Sequence, residues 1–280
     1  MPVYNGELFL RGALDALLGQ TFYDFELIIS DNASTDGTEN ICREYASQNC
    51  QISYTRQAVN LGAFANFKFV LEQARGEYFM WAACDDTFSK DFVELNFNFL
   101  SENHDYVAST CPTEFEGQES ENHNRISFAL DGSPFERFIQ FFEHCWVSHG
   151  MYYSLIRTEV LRGCDLIGQS FIASDWAIIL YLARKGKINR TKSGYTIFGI
   201  KGASRDADGL KKFRNSAIEV LLPFYRVTHY VASLTDGFSL GQRFRIASTL
   251  LKLNLQAALF PLLHALHAIR RVVRRANRVV

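Results

Sequence analysis

Apolar segments with two different periodicities alternate along the N-terminal part of the chain, and this alternation constrains the fold more than any other feature. Short, mostly apolar runs at residues 25–29 and 78–82 are typical of buried strands. Between such runs the apolar residues recur at helical spacing, as at Leu10, Leu14 and Leu17. Strands and helices that alternate in this way predict βαβ units around a mostly parallel sheet.

The other predicted elements follow the same criteria. Residues 112–134 are polar and predict a long loop, and beyond about Gly209 we expect only helices. The strand that usually opens such a sheet has no counterpart before Pro2, which predicts either an unusual start or a fragment of a longer protein. Helices are further expected at residues 38–45, 64–74, 92–99, 135–142 and 174–183, and strands at residues 52–55 and 151–153.

Composition excludes several classes of protein. With 48% apolar and 21% charged residues, the chain can bury a sizeable core and is not disordered over most of its length. No stretch approaches the roughly 20 apolar residues that span a bilayer, and no basic segment followed by an apolar one marks a signal peptide. We therefore expect a cytoplasmic protein and leave open a peripheral contact with the inner face of the membrane.

Acidic residues follow two of the predicted strands, Asp31 after the first and Asp85-Asp86 after the second. Ligands of open α/β sheets bind at the carboxyl ends of the strands. Adjacent carboxylates there can hold Mg²⁺ or Mn²⁺, which neutralises the charge of a leaving diphosphate. The residues alone leave a second interpretation equally open, in which Asp85 and Asp86 only cap the next helix. The sequence contains no G-x-x-x-x-G-K-[ST] motif and no G-x-G-x-x-G motif after a strand. It therefore gives no support to an ATPase or a nicotinamide dehydrogenase.

Four ordered segments carry a more specific signal. They are residues 2–7 (PVYNGE), 30–38 (SDNASTDGT), 60–62 (NLG) and 76–86, which opens with GEY and closes with Asp85-Asp86. Over roughly residues 1–200 their order and separation resemble the family-2 glycosyltransferases. The resemblance implies an α/β fold, namely a GT-A, Rossmann-like and mostly parallel sheet flanked by helices. It also implies a nucleotide-sugar donor, a divalent cation (Mg²⁺ or Mn²⁺) and inversion at the anomeric carbon.

The resemblance further implies roles for individual residues. Pro2, Tyr4 and Glu7 would line the nucleotide pocket, Asp31 would accept a hydrogen bond from the base, Asp85 would face the ribose, and Asp86 would bind the metal. The family's usual Asp-x-Asp motif is here Cys84-Asp85-Asp86, so its first position offers only a thiol.

Asp175 is the candidate catalytic base. The family's base is an acid that opens a helix after the acceptor region, and residues 173–176 (ASDW) fit that place. An inverting transfer needs a carboxylate that takes the proton of the acceptor hydroxyl as its oxygen attacks. The residues alone favour a structural interpretation, in which Ser174 caps the helix and Asp175 interacts with its dipole. The resemblance favours catalysis.

Aromatic residues such as Trp146 and Trp176 are expected to be buried rather than to stack on sugars.

The C-terminal segment has a charge opposite to that of the rest of the chain. The net charge of −1 conceals this, because all 30 acids precede residue 243 whereas eight Lys and Arg residues follow from there on. Leu251, Leu255 and Leu259 begin a helical apolar stripe that leads to five arginines at residues 270–278. These features suit an interfacial helix on an anionic membrane. A helix packed on the catalytic domain, an oligomer contact and a nucleic-acid tail are alternatives, the last disfavoured because the body is acidic.

These observations lead to one main hypothesis. We expect a GT-A glycosyltransferase domain over residues 1–205 and a helical extension with a basic amphipathic tail over residues 206–280. The enzyme would transfer a sugar from a nucleotide donor to a hydroxyl of a saccharide or lipid-linked acceptor, as in cell-surface polysaccharide biosynthesis, with no nucleic-acid partner. The alternative is a truncated, non-catalytic nucleotide-binding or membrane-associated protein, motivated by the missing first strand.

Overall fold

The computed structural model describes residues 1–117, 127–199 and 216–276, without the side chains of residues 149 and 260–276. The strands in these ranges are β1 (Pro2–Val3), β2 (Leu27–Asp31), β3 (Ile52–Arg56), β4 (Tyr78–Phe79), β5 (Thr87–Phe88), β6 (Tyr106–Thr110), β7 (Thr113–Phe115), β8 (Leu155–Arg157), β9 (Lys187–Arg190) and β10 (Thr196–Phe198). The helices are α1 (Leu10–Leu18), α2 (Thr38–Gln48), α3 (Ala63–Gln73), α4 (Phe92–Glu102), α5 (Pro134–His144), α6 (His149–Tyr152), α7 (Thr158–Arg162), α8 (Ser174–Lys185), α9 (Ala217–Leu221), α10 (Tyr225–Leu234) and α11 (Leu240–Ala276).

The strands form three sheets, each with at least one parallel pair. The first has the order β1-β2-β3 and is parallel throughout. The second has the order β4-β8-β6-β9, in which β8 runs antiparallel to both neighbours and β6 pairs in parallel with β9. In the third, β10 lies between β5 and β7 and is parallel only to β7. The first sheet is therefore parallel and the other two are mixed. Helices alternate with the strands of the first sheet.

The first sheet holds the core beneath the predicted site. Every residue of β2 is buried, and the apolar face of α1 (Leu10, Leu14 and Leu17) is buried with it in one apolar cluster. Burial of such side chains contributes on the order of 1.5–3 kcal/mol each. This packing fixes β2, and with it the position of Asp31 at its carboxyl end.

Four sequence predictions differ from the structure. No strand was predicted at residues 2–3, but Pro2–Val3 forms the two-residue strand β1, which pairs in parallel with Ser30 and Asp31 of β2. The expected strand at residues 151–153 is wrong, since α6 ends at Tyr152 and the nearest strand is β8. The strand predicted at residues 78–82 is limited to β4. The loop predicted at residues 112–134 contains β7, a strand of only three residues that pairs with the distant β10. Strands this short show no periodicity in the sequence.

The chain divides into two compact units, residues 1–170 with 174–206 and residues 171–173 with 207–280. The domain boundary predicted at residues 205/206 falls in residues 200–215, outside the described ranges, and stays a prediction. In the second unit, Asn254 of α11 accepts a 2.8 Å hydrogen bond from the Phe224 amide and donates one of 3.1 Å to Thr228. Within the described residues, no helix has the combination of length and apolar character that crossing a bilayer requires.

Candidate active site

The loops that leave β1 and β2 are joined by hydrogen bonds. Asn5 Oδ1 accepts a 2.8 Å hydrogen bond from the Thr35 backbone amide, and the backbone amide of Asn5 donates to Ser34 Oγ at 2.9 Å. Glu7 Oε2 accepts a 2.9 Å hydrogen bond from the Gly37 amide at the start of α2. Of the residues predicted to line a nucleotide pocket, Glu7 therefore braces the two loops, Pro2 is buried in β1, and Tyr4 is 48% exposed.

Asp31 lies at the carboxyl edge of the parallel sheet, in register with Val3 of β1 and Arg56 of β3. Its side chain has no exposed surface. One oxygen accepts the Ser34 amide at 2.9 Å, and the other accepts the Tyr54 hydroxyl at 3.1 Å and lies 3.4 Å from Arg56 Nε. Asp31 thus organises the β2–α2 turn. The predicted hydrogen bond between Asp31 and the base of the donor nucleotide stays a prediction. It requires Tyr54 or Arg56 to move aside, because the Asp31 side chain has no exposed surface.

Asp85 and Asp86 lie beside the end of β10. Asp86 is 4% exposed, and its Oδ1 accepts a 3.3 Å hydrogen bond from the Gly199 amide. Gly199 packs so closely against Asp85 that a Cβ added to the glycine would lie 2.6 Å from Asp85 Oδ2. On the other side, Cys84 packs on Gly6, where an added Cβ would lie 3.0 Å from the Cys84 sulfur. The predicted donor loops and the Asp85-Asp86 pair are therefore neighbours.

The electrostatics of Asp86 are unusual. Its Oδ2 is buried and has no hydrogen-bond partner among the described residues. Burial, followed by the charge of Asp85, raises the pKa of Asp86 to about 7. Burial also raises the pKa of Asp85. A carboxylate that is buried without a counter-charge is costly, and such perturbed groups concentrate at functional sites.

The pKa of Tyr153 is affected by this pair and by the candidate base. Burial, and then the charge of Asp86, raise the pKa of Tyr153 well above its ordinary value, and the charges of Asp85 and Asp175 act in the same direction. Asp175 lies in the first turn of α8 and is half-buried. Asp175 and the Asp85-Asp86 pair, which are far apart in the sequence, thus act on the same tyrosine through their charges.

Trp146 was expected to be buried, and this is wrong. Trp146 is 54% exposed and its ring meets that of the buried Trp176 edge to face, with 5.1 Å between ring centroids. An accessible indole therefore contacts the residue that follows the candidate base in the sequence. Trp146 belongs to a three-residue 3₁₀ helix, Cys145–Val147, whose exposure has no local sequence signal.

A divalent cation fits the Asp85-Asp86 pair. No group of three or more His, Cys, Asp or Glu side chains in the described residues could hold a metal. Mg²⁺, however, is usually bound through one or two carboxylates, with water and substrate phosphates as the other ligands. Asp86 supplies a buried, unpartnered carboxylate oxygen, which is the donor that such a cation prefers. Asp86, with Asp85 beside it, is the residue that would hold the cation.

A cavity of about 420 Å³ lies away from these carboxylates. Its lining includes Met1, which precedes β1, together with Leu27 and Ile28 of β2 and Tyr78 and Phe79 of β4. Leu27 and Tyr78 are the first residues of their strands, so the cavity lies at the amino ends. The candidate site lies at the opposite, carboxyl edge, where open α/β sheets bind ligands.

Sequence reasoning missed two residues of this site. Gly199 carried a usable signal, since a glycine at the end of a strand often marks a close approach of backbone. Tyr153 carried none, because its position just after α6 depends on the packing of α6 against α8 and β6. No nucleotide-pocket, metal or catalytic role is tested by this geometry, so these assignments stay predictions.

Helix-flanked α/β sheets with acidic residues at this edge define the class of GT-A glycosyltransferases, and solved structures share the fold. Staphylococcus aureus TarS (residues 1–349) matches with a TM-score of 0.67 at 17% identity, over 89% of this chain and 68% of that one. The mannosyltransferase PcManGT from Pyrobaculum calidifontis, solved with GDP-Man and Mn²⁺, matches with a TM-score of 0.54 at 17% identity, over 97% and 78%. The predicted GT-A fold is confirmed.

The chain belongs to glycosyl transferase family 2, whose family model matches residues 1–162. An uncharacterized glycosyltransferase of Rickettsia typhi is 32% identical over 101 residues, 36% of this chain and 30% of that protein. TuaG of Bacillus subtilis, a glycosyltransferase named for teichuronic acid biosynthesis, is 30% identical over 138 residues, 49% of this chain and 50% of that protein. The chain thus spans half or less of the length of these curated relatives, and the predicted family is confirmed.

Proposed function

We propose that this protein is an inverting glycosyltransferase that takes a sugar from a nucleotide-sugar donor. The observation that carries the proposal is the buried Asp86 oxygen, which has no partner among the described residues and lies beside Asp85. Structural neighbours solved with UDP-GlcNAc and with GDP-Man and Mn²⁺ support a nucleotide-sugar donor. The alternative is a truncated, non-catalytic nucleotide-binding or membrane-associated protein, and the tests below distinguish the two.

The proposed chemistry divides between the two sets of carboxylates. Asp86 would hold Mg²⁺ or Mn²⁺, and the cation would neutralise charge on the diphosphate as it leaves. Asp175 would accept the proton of the acceptor hydroxyl while that oxygen attacks the anomeric carbon from the face opposite the departing diphosphate. Trp146 would support the acceptor by stacking against a sugar ring.

We further propose a saccharide or lipid-linked saccharide as the acceptor, in cell-surface polysaccharide biosynthesis at the inner face of a membrane. The name of TuaG, which refers to teichuronic acid biosynthesis, supports this class of acceptor. A lipid-linked acceptor would favour an enzyme that stays at the membrane surface.

The first test is donor binding and hydrolysis with Mn²⁺, with UDP-GlcNAc and GDP-mannose as the first donors tried. We expect one donor to raise the melting temperature of the wild type in the presence of Mn²⁺ and not with EDTA. Asp86→Asn should lose this metal-dependent stabilisation. The absence of stabilisation by any of a broad panel of nucleotide sugars would count against the proposed function.

The second test separates Asp175 from donor binding. Asp175→Asn keeps the shape of the side chain and removes its basicity, so turnover should fall by about 10²–10⁴-fold while donor binding is kept. Asp165→Asn serves as the matched control, because Asp165 is an exposed residue that lies before α8. Unchanged turnover in Asp175→Asn would overturn the assignment of the base.

A further inference from the structure

The long helix α11 carries two apolar faces, and only one is used within its own unit. The buried face consists of Ile246, Leu250 and Leu253, which are 2–6% exposed, together with Asn254. A second set of large apolar side chains on α11 is exposed: Leu240 (87%), Phe244 (75%), Leu251 (55%), Leu255 (50%) and Leu259 (50%). An amphipathic helix that only packs on its own domain needs one apolar face. The second face therefore requires another explanation.

The exposed apolar residues form a continuous stripe. With 3.6 residues per turn, the five positions fall within an arc of about 100° on the helix surface. Exposed Arg245 and Lys252 project next to one edge of this arc, on the side away from the buried face. The stripe is thus bordered by cations whose long side chains can reach past it to a charged surface.

The charge of the segment narrows the choice of partner. No Asp or Glu occurs from residue 240 to the C-terminus, whereas eight Lys and Arg residues do. A second copy of this helix on the stripe would bring two strongly positive segments together. A nucleic acid would neutralise the charge and leave the Leu and Phe side chains in water. An anionic bilayer satisfies both features, because acyl chains take the apolar stripe and lipid phosphates take the cations.

We propose that α11 binds parallel to the surface of an anionic lipid bilayer, with the stripe Leu240, Phe244, Leu251, Leu255 and Leu259 inserted below the headgroups. Arg245 and Lys252 contact lipid phosphates at the edge of the stripe. The inference rests on α11 alone and does not depend on the proposed glycosyl transfer.

The test is co-sedimentation of the full chain with vesicles of phosphatidylcholine, with and without phosphatidylglycerol. We expect the protein to sediment with the vesicles that contain phosphatidylglycerol and to be released by high salt, since screening weakens the lipid–cation contacts. Equal binding to both kinds of vesicle would overturn the role of the cations. Binding to neither would overturn the proposal as a whole.

Substitutions on the stripe give the second readout. Leu251→Gln with Leu255→Gln removes apolar surface without changing charge and should lower partitioning at least about tenfold. Ser248 is exposed and lies within the arc, so Ser248→Leu should raise partitioning severalfold. Gln256→Leu adds the same side chain outside the arc and should change it less. If both leucine additions act equally, the stripe is not the inserted face.

One further measurement distinguishes a lipid bilayer from a second copy of the chain as the partner of the stripe. Light scattering without vesicles should give the same mass for the wild type and for the Leu251→Gln/Leu255→Gln variant. A dimer that this variant dissociates would assign the stripe to a second copy of the chain and refute the bilayer proposal. Circular dichroism shows whether the variants keep their helix content, so a loss of lipid binding through unfolding is recognised.

Discussion

The buried carboxyl of Asp86 makes the metal-free protein less stable than it would be with a neutral side chain at that position. Its pKa is raised from 3.8 to about 7, mainly by burial. Each pKa unit corresponds to about 1.4 kcal/mol, so ionised Asp86 costs the folded state about 4 kcal/mol near pH 8. In Asp86→Asn this cost disappears. The amide keeps an oxygen for the Gly199 N–H but places a donor where Oδ2 has no partner, which costs about 1–3 kcal/mol.

The net prediction is a variant that is more stable by about 1–3 kcal/mol near pH 8 in EDTA. The sign of the pH dependence follows from proton binding. Between about pH 4 and 7 the folded state binds a proton at Asp86 that the unfolded state has released, so wild-type stability falls as pH rises through this window. Asp86→Asn lacks this dependence. The stability difference between variant and wild type should therefore shrink by about 2–3 kcal/mol when the pH is lowered from about 8 to about 5.

Urea unfolding in EDTA, followed by circular dichroism at the two pH values, measures both quantities. Asp24→Asn is the matched control, because Asp24 is exposed and its substitution should change stability by less than about 0.5 kcal/mol. If Asp86→Asn is less stable than the wild type by the same amount at both pH values, Asp86 is not a desolvated carboxylate. The argument for its role as a metal ligand would then lose its physical basis.

Substitutions at three other positions test the site. Gly199→Ala would place a Cβ 2.6 Å from Asp85 Oδ2, so we expect a loss of about 1–3 kcal/mol in urea unfolding together with weaker metal-dependent donor binding. Ala33 has a φ of 60°, which is strained for alanine, so Ala33→Gly should be neutral or stabilising by up to about 1 kcal/mol, whereas Ala33→Val should destabilise. Trp146→Ala should raise the KM for the acceptor severalfold and Trp146→Phe less, as measured in steady-state transfer assays.

The carboxyl edge of the sheet could be predicted from the sequence because its signals are local. The buried run that ends at Asp31 and the acidic pair at Asp85-Asp86 each lie within a single segment, so both could be singled out from the sequence. In the structure β2 and β4 belong to different sheets, and the packing of Cys84 against Gly6 brings the acidic pair close to the loop after β1. The resemblance to family-2 glycosyltransferases added the roles. The residues at 151–153 were mistaken for a strand because a three-residue apolar run has no period that distinguishes strand from helix. Similarly, β7 and β10 pair across about 80 residues and have no local signature.

The candidate site combines several unfavourable features with strong local bracing, and this combination supports a binding function. Asn5 and Ala33, the residues just past β1 and β2, both adopt positive φ angles of 51° and 60°. Asp86 has a buried oxygen without a partner a short distance away. Costs of this kind persist only where the surroundings enforce them, and they concentrate at functional sites. Here the surroundings include the hydrogen bonds that Asn5 and Glu7 accept from the Thr35 and Gly37 amides of the β2–α2 loop, which hold the strained turns without neutralising the carboxylate. A cation with its diphosphate would supply the missing counter-charge. The free protein is thus hydrogen-bonded in place at this edge and electrostatically incomplete, as expected of a site already shaped for its ligand.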